Sequence, residues 1–296
     1  MVERAFRFGV VAGQVESRTG WTEFATRVED AGFHTLLMPD TVNVAAPFSA
    51  LAAAAAVTTD LRLGTFVLAA PLRPATAIAW ESASLDRLSD GRFELGLGAG
   101  RPAAAREAEL FGLPFGTPAE RVDALTETLR VLTDTFDEAA NTATSGPYAQ
   151  ANYLAPVQRP RPPIMLAAGG KRMLDLAGHA ADIVNLALPP TSGEAEVAAK
   201  VSLLRELAGA RFDHLEICYN TFSVGADELP PWLAGRLGVR PEQVADNKAL
   251  AVLTGSPAEI ADVLLRRRAE LGISYIAVNQ NAMAGFIPVI DLLTGA

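Results

Sequence analysis

The sequence predicts an α/β protein of the (β/α)8-barrel class. Three observations carry that prediction: short apolar strands alternate with amphipathic helices along nearly the whole chain, eight such strands can be traced, and 296 residues suit one barrel. Half of the residues are hydrophobic and only 20% are charged, as buried parallel strands sheathed by helices require. Eight strands with helices between them favour a closed barrel over an open doubly wound sheet. A single domain is expected over residues 1–296, with a long insertion at about 138–163.

The first strand, Phe6 to Ala12, precedes a helix whose apolar spacing runs through Trp21, Phe24, Ala25, Val28 and Ala31. Thr22 is the candidate cap, although Ala25 stands where a capping box needs Glu or Gln, and Gly32 stops the helix. The second strand, His34 to Pro39, ends at Asp40, and an Ala-rich helix around Phe48 to Val57 leads to the third, Leu61 to Ala69. A helix from Thr76 to Leu88 and the turn Ser89-Asp90-Gly91 precede the fourth strand, Phe93 to Gly98. Pro118 to Phe136 is strongly periodic, with Val122, Leu125, Leu129 and Leu132 on one face, whereas Glu138 to Pro163 is polar and proline-rich and reads as the insertion. Strand five is Ile164 to Ala168 with its helix Met173 to Ala180. Strand six is Ile183 to Leu188, backed by Glu194 to Leu207, and strand seven is Leu215 to Val224. After an irregular stretch from Asp227 to Thr254, the helix Pro257 to Leu271 leads to strand eight, Ser274 to Asn279, and a last helix near Phe286 to Leu293.

A net charge of −9 repels nucleic acid and anionic membrane over most of the surface, so neither is an expected partner. Cys218 is the only cysteine and lies in an apolar run, which suits a buried thiol and a reducing cytoplasm. Met1 to Phe8 alternates charged and apolar residues rather than forming a signal peptide, and no apolar stretch approaches a spanning length; a soluble, cytoplasmic protein is expected. His34, His179 and His214 sit in structurally bland places. No metal-ligand cluster and no Gly-x-Ser-x-Gly elbow occurs, so reactivity must come from a bound cofactor.

In a (β/α)8 barrel the site forms at the carboxyl ends of the strands. That rule selects Gln14 and Glu16, Asp40 and Thr41, Gly100 and Arg101, Gly169, Gly170 and Lys171, and the polar groups Asn185, Asn220, Asn279 and Gln280 in otherwise apolar runs. Ile164 to Arg172 is the most informative segment: a buried strand, two glycines, then a helix start with Lys171 and Arg172. Two readings stand there, an anion cradle of backbone N–H groups at a helix N-terminus or a tight strand-to-helix turn with solvated basic residues. Gly96-Leu97-Gly98-Ala99-Gly100 imitates a dinucleotide fingerprint but lacks the helix and acidic residue that would support one.

The segments Leu61 to Thr65 and Ala83 to Gly100, together with Gly32-Phe33, Arg161-Pro162-Pro163, Gly169-Gly170 and Ala180 to Val184, resemble the luciferase-like oxidoreductase superfamily, particularly its actinobacterial branch dependent on coenzyme F420. The resemblance spans nearly the whole chain and implies a TIM barrel of the luciferase-like type. It places the cofactor phosphate at Gly169 and Gly170, flanked by Ala168 and Lys171, and Asp40 along the cofactor. Gly100 and Arg101 lie at the same end. Phe66-Val67 matches the place of a non-proline cis peptide that backs the deazaflavin ring. Asp86, Arg87 and Arg92, in the most recognisable motif, read as structural ion pairing on the outer side. Two departures stand out: Thr41 replaces a His found in many relatives, and Arg101 replaces an acid that some carry.

The resemblance therefore implies F420-dependent hydride transfer, in the direction of reduction, with FMN as the alternative cofactor of a luciferase-type monooxygenase. A noncatalytic barrel that binds a flavin-like ligand is the third reading. Glu16 and Thr41 are the candidates for catalysis; Gln14, Asn185, Asn220 and Asn279 are the candidates for holding a small-molecule substrate. An imine or activated C=C bond suits the loss of both the His and the acid, since hydride can then be accepted directly. A homodimer is expected.

Overall fold

The computed structural model describes residues 4–141, 154–225, 235 and 249–295. Its strands are β1 (Arg7–Val11), β2 (Thr35–Met38), β3 (Arg62–Thr65), β4 (Leu68–Ala69), β5 (Phe93–Gly98), β6 (Ile164–Ala168), β7 (Ile183–Leu186), β8 (Glu216–Thr221), β9 (Ser223–Val224), β10 (Val252–Leu253) and β11 (Ile273–Asn279). The helices are α1 (Arg18–Asp30), α2 (Pro47–Ala55), α3 (Ala75–Leu88), α4 (Ala104–Leu110), α5 (Pro118–Asn141), α6 (Lys171–Ala180), α7 (Glu194–Ala208), α8 (Pro257–Leu271) and α9 (Met283–Leu293). One sheet runs β3-β2-β1-β11-β8-β7-β6-β5-β4, and a further β3–β5 pairing closes it. Because β3 and β4 both pair with β5, they are two pieces of one barrel strand, and the result is the expected (β/α)8 barrel. Of the expected insertion, residues 142–153 lie outside the described residues and 138–141 continue α5; of the irregular stretch after strand seven, 226–234 and 236–248 lie outside them.

By its internal contacts the chain divides into two compact units, and each has its own core. The first comprises Met1–Ala12, Val28–Thr35 and Ala168–Ala296. Its parallel strands β1, β11, β8 and β7 set Arg7 beside Tyr275, Gly9 beside Ala277 and Val11 beside Asn279, then Tyr275 beside Cys218, Ala277 beside Asn220 and Cys218 beside Asn185. Phe8 stacks edge-on against Phe286 of α9 at 5.5 Å, which turns the alternate residues Phe8 and Val10 toward the helices. Arg7, Gly9 and Val11 therefore share the opposite, inner face with Tyr275, Ala277, Asn279, Cys218, Asn220 and Asn185. Arg7 bears this out: it pairs with Glu216 at 2.6 Å and lies 4.4 Å over the Tyr275 ring.

The second unit comprises Gly13–Arg27 and Leu36–Ala167. Its first helix starts earlier than the apolar spacing indicated. Ser17 supplies the cap, accepting the Gly20 N–H at 3.0 Å, while the Thr22 hydroxyl donates back to the carbonyls of Arg18 and Thr19. Asp86 is fully buried and accepts N–H groups from Val157, Gln158 and the Gln158 side chain, and Arg92 donates to the carbonyls of Ser89, Leu61 and Ala55. These contacts tie the Asp86 and Arg92 side chains to backbone groups of the second unit and to the Gln158 amide. No helix among the described residues is long and apolar enough to cross a membrane.

Candidate functional site

The barrel strand formed by β3 and β4 carries a bulge. Partner offsets drop by one residue between Gly64↔Glu94 and Leu68↔Leu97, so one extra residue is accommodated at Phe66-Val67, whose peptide bond is cis. Thr65 repairs the interrupted ladder with its side chain: its hydroxyl donates to the Gly96 carbonyl and accepts the Gly96 N–H, both at 2.8 Å. The bulge also explains the glycine run of β5. A Cβ on Gly96 would sit 1.9 Å from the Thr65 carbonyl oxygen, and one on Gly98 would sit 3.0 Å from Val67 Cγ2. Gly96 thus makes room for the Thr65 backbone and Gly98 for the Val67 side chain, and Phe66 and Val67 are left half-buried between β3 and β4. Gly100 follows with φ +82°, a conformation glycine permits and other residues resist.

Asp40 leaves β2 into a bidentate pair with Arg73, at 2.6 and 2.7 Å, and also accepts the Ala69 N–H at 3.0 Å. Its side chain is only 7% exposed. This carboxylate braces the end of β4, and Arg73, which the sequence had not singled out, is its partner. The nearby Glu81 carboxyl is held above the usual carboxylate range, chiefly by burial and further by Asp40, with Arg73 opposing. Thr41, next in sequence, places its hydroxyl against the Glu107 carboxylate at 2.5 Å and against Asn43 Oδ1 at 2.8 Å. Glu107 comes from α4, is 5% exposed, also accepts the Val42 N–H at 3.3 Å, and lies 3.5 Å from the largely exposed Arg101. Sequence reasoning had no helix at α4 and so missed Glu107. The signal was the run of helix formers from Ala103 to Ala108, which lacks an apolar stripe. Gln14 and Glu16 lie exposed in the loop before α1.

In the first unit β6 ends at the fully buried Ala168, whose carbonyl accepts the Ala187 N–H at 2.9 Å. Gly169 is confined by the protein itself, since a Cβ there would meet the Ala187 carbonyl oxygen at 2.4 Å. Gly170 differs: its φ is −86°, nothing lies within 4 Å of the position of a Cβ, and it caps α6 without a side-chain hydrogen bond. Lys171 and Arg172 occupy the exposed first turn. Asn279 spends its Oδ1 on the Asn281 N–H at 3.0 Å. Asn185 and Asn220 each hold a buried Oδ1 with no partner among the described residues. No group of three or more His, Cys, Asp or Glu among those residues is placed to hold a metal ion.

The chain matches the family model described as luciferase-like monooxygenase over residues 6–228. It is 32% identical over 208 residues to the pyrimidine monooxygenase RutA of Methylobacterium radiotolerans, covering 67% of this chain and 53% of that one. A Mycobacterium tuberculosis protein whose name proposes coenzyme F420-dependent oxidoreductase activity is 29% identical over 174 residues, 54% of this chain and 48% of its own length. The chain spans about half the length of the curated relatives it matches. Among solved structures, the F420-dependent tetrahydromethanopterin reductase of Methanopyrus kandleri superposes with a TM-score of 0.74 over 97% of both chains, at 20% identity, a likeness of fold.

Proposed function

Because the chain belongs to the luciferase-like monooxygenase family, we propose that it is a coenzyme F420-dependent oxidoreductase acting on a small organic substrate, in the direction of reducing an imine or activated C=C bond. The bulge at Phe66-Val67 carries this reading. It stands where the resemblance puts the backing of the deazaflavin ring, and β5 gives up the side chains of Gly96 and Gly98 to accommodate it. The start of α6 supports the phosphate end. Gly170 leaves open space, the helix N-terminus has no side-chain cap, and Lys171 stands exposed in the first turn, where a bound anion would offset its charge.

F420, when bound, supplies or accepts the hydride. The rest falls to the chain. Gly169, Gly170 and Lys171 would hold the phosphate, with Ala168 beneath them; Phe66, Val67, Gly100 and Arg101 would line the ring. Asp40, committed to Arg73 and the Ala69 N–H, fixes the end of β4 rather than exchanging protons. Thr41, hydrogen-bonded to the buried Glu107 carboxylate at the end of β2, and Glu16 would be the catalytic groups, with Gln14, Asn185, Asn220 and Asn279 toward the substrate. A cytoplasmic homodimer completes the proposal: Trp80 and Leu88 of α3, 61% and 67% exposed, are large apolar side chains that a second copy would cover.

The likeness to the pyrimidine monooxygenase RutA favours a second reading, a monooxygenase, for which FMN is the alternative cofactor. Anaerobic mixing of the protein and reduced F420 with a panel of imines and enones separates the two. Oxidation of F420 without oxygen is expected. Turnover only with reduced FMN and oxygen would establish the second reading, and tight cofactor binding with no turnover of either kind would leave a noncatalytic barrel.

A further inference from the structure

The inner face of the first unit carries two carbonyl oxygens that nothing in the described residues answers, Oδ1 of Asn185 and Oδ1 of Asn220. Asn185 is 5% exposed. Asn185 pairs with Cys218, and Asn220 lies two residues further along β8. Strand spacing and rise therefore put their Cα atoms about 8 Å apart. The positions beside Asn220 are Ala277 and Gly9, which contribute a methyl group and nothing. The layer before it holds Asn185 and Cys218 together with Tyr275, which carries Arg7 over its ring, and the Arg7 charge is met by Glu216. The face thus has an aromatic floor, small neighbours at the next level, and two amide oxygens. Buried acceptors are as a rule paired, and two unpartnered ones on one face match a ligand that brings the donors.

Resting on the reading that this barrel takes a small-molecule substrate, we propose that Asn185 and Asn220 form its nitrogen subsite, accepting hydrogen bonds from N–H groups of a small planar compound, a cyclic amide or a protonated imine. The nitrogen is chosen over a hydroxyl on chemical grounds. An amide N–H, whose nitrogen lone pair is delocalised into the carbonyl, and an iminium N–H, whose nitrogen has none, present no accepting lone pair to the carbonyl oxygens, whereas a hydroxyl brings two.

The test uses the cofactor-free protein and ligand-detected NMR with four rings of similar size: 2-pyrrolidone, pyrrolidine, cyclopentanone and cyclopentanol. We expect 2-pyrrolidone or pyrrolidine to bind at least roughly tenfold more tightly than cyclopentanone, the worth of about one well-made hydrogen bond. Which of the two prevails distinguishes a neutral from a cationic substrate. Asn185→Leu and Asn220→Leu should each abolish the preference while the ligand-free thermal midpoint holds or rises, because an unanswered acceptor has been replaced by an apolar group of similar size. Asn220→Asp, which keeps the acceptors, should retain pyrrolidine binding and so guards against a folding artefact. Equal binding of cyclopentanone, equal and Asn-dependent binding of cyclopentanol, or variants that bind like the parent would each overturn the proposal. Because no cofactor is present, a failure to bind F420 leaves this result standing. Absence of the preference in a protein that binds F420 removes the subsite alone.

Discussion

Replacing Asp40 decides whether that carboxylate is a structural brace or a cofactor ligand. In the structure it makes three hydrogen bonds, two from the Arg73 guanidinium and one from the Ala69 N–H, and is 7% exposed. Removing one member of a buried ion pair typically costs about 3–5 kcal/mol, and an orphaned buried N–H about 1–3 kcal/mol. Those figures are upper bounds here, because the Arg73 side chain is 22% exposed and can turn to water or to Glu81, whose carboxyl already senses its charge. We therefore expect Asp40→Ala to lower the unfolding free energy by about 3 kcal/mol and Asp40→Asn, which keeps an acceptor, by about half as much. Urea melts at neutral pH provide the assay, with Arg73→Met completing a double-mutant cycle whose coupling should exceed about 1 kcal/mol. A cost for Asp40→Ala below about 0.5 kcal/mol, combined with collapse of cofactor affinity, would refute the brace and make Asp40 a ligand.

Three further outcomes follow from single positions. Gly96→Ala should abolish soluble expression, since its Cβ would overlap the Thr65 carbonyl at 1.9 Å, while Gly98→Ala, facing only Val67 Cγ2 at 3.0 Å, should fold with a lowered melting temperature; equal behaviour of the two would contradict the bulge packing. Gly169→Ala should destabilise the protein through the Ala187 carbonyl, whereas Gly170→Val should melt like the parent and lose phosphate-bearing cofactor; intact F420 affinity in a folded Gly170→Val protein would remove the cradle. His34 accepts the Phe8 N–H on Nδ1, and burial first, then Arg7, holds its imidazole below the ordinary value. The folded state thus favours the neutral ring, and stability should fall as pH drops below about 6.5, where the unfolded chain takes up the proton. His34→Asn should flatten that slope in melts between pH 7 and 5, and an unchanged slope would exclude His34 as its source.

Where local chemistry punctuates the chain, the sequence was a sufficient guide. Phe93–Gly98 begins after the turn at Ser89-Asp90-Gly91, and Pro257–Leu271 lies between a Ser256–Glu259 capping box and Gly272 in the left-handed conformation. Other features depend on partners distant in sequence. Leu61 to Ala69 reads as one uninterrupted strand, because only its pairing with β5 reveals the extra residue. Gly96 and Gly98 look like cofactor glycines, and the Thr65 and Val67 atoms that require them lie some thirty residues earlier. Glu107 was hidden because α4 is short and lacks an apolar stripe, so nothing in its spacing announced that a carboxylate would reach Thr41. Gln14, Glu16, Asn185 and Asn220 were all selected as strand-end polar groups. Only burial and register separate the two exposed loop residues from the two amides whose oxygens are buried.

A direct titration tests the identity of the cofactor. Quenching of ligand fluorescence on addition of protein, measured for F420 and FMN under the same salt and pH, should give an F420 affinity at least roughly a hundredfold higher, a difference of about 2.7 kcal/mol. Gly170→Val should erase most of that affinity. Equal or tighter binding of FMN by the parent protein would contradict the account and assign the barrel to flavin chemistry.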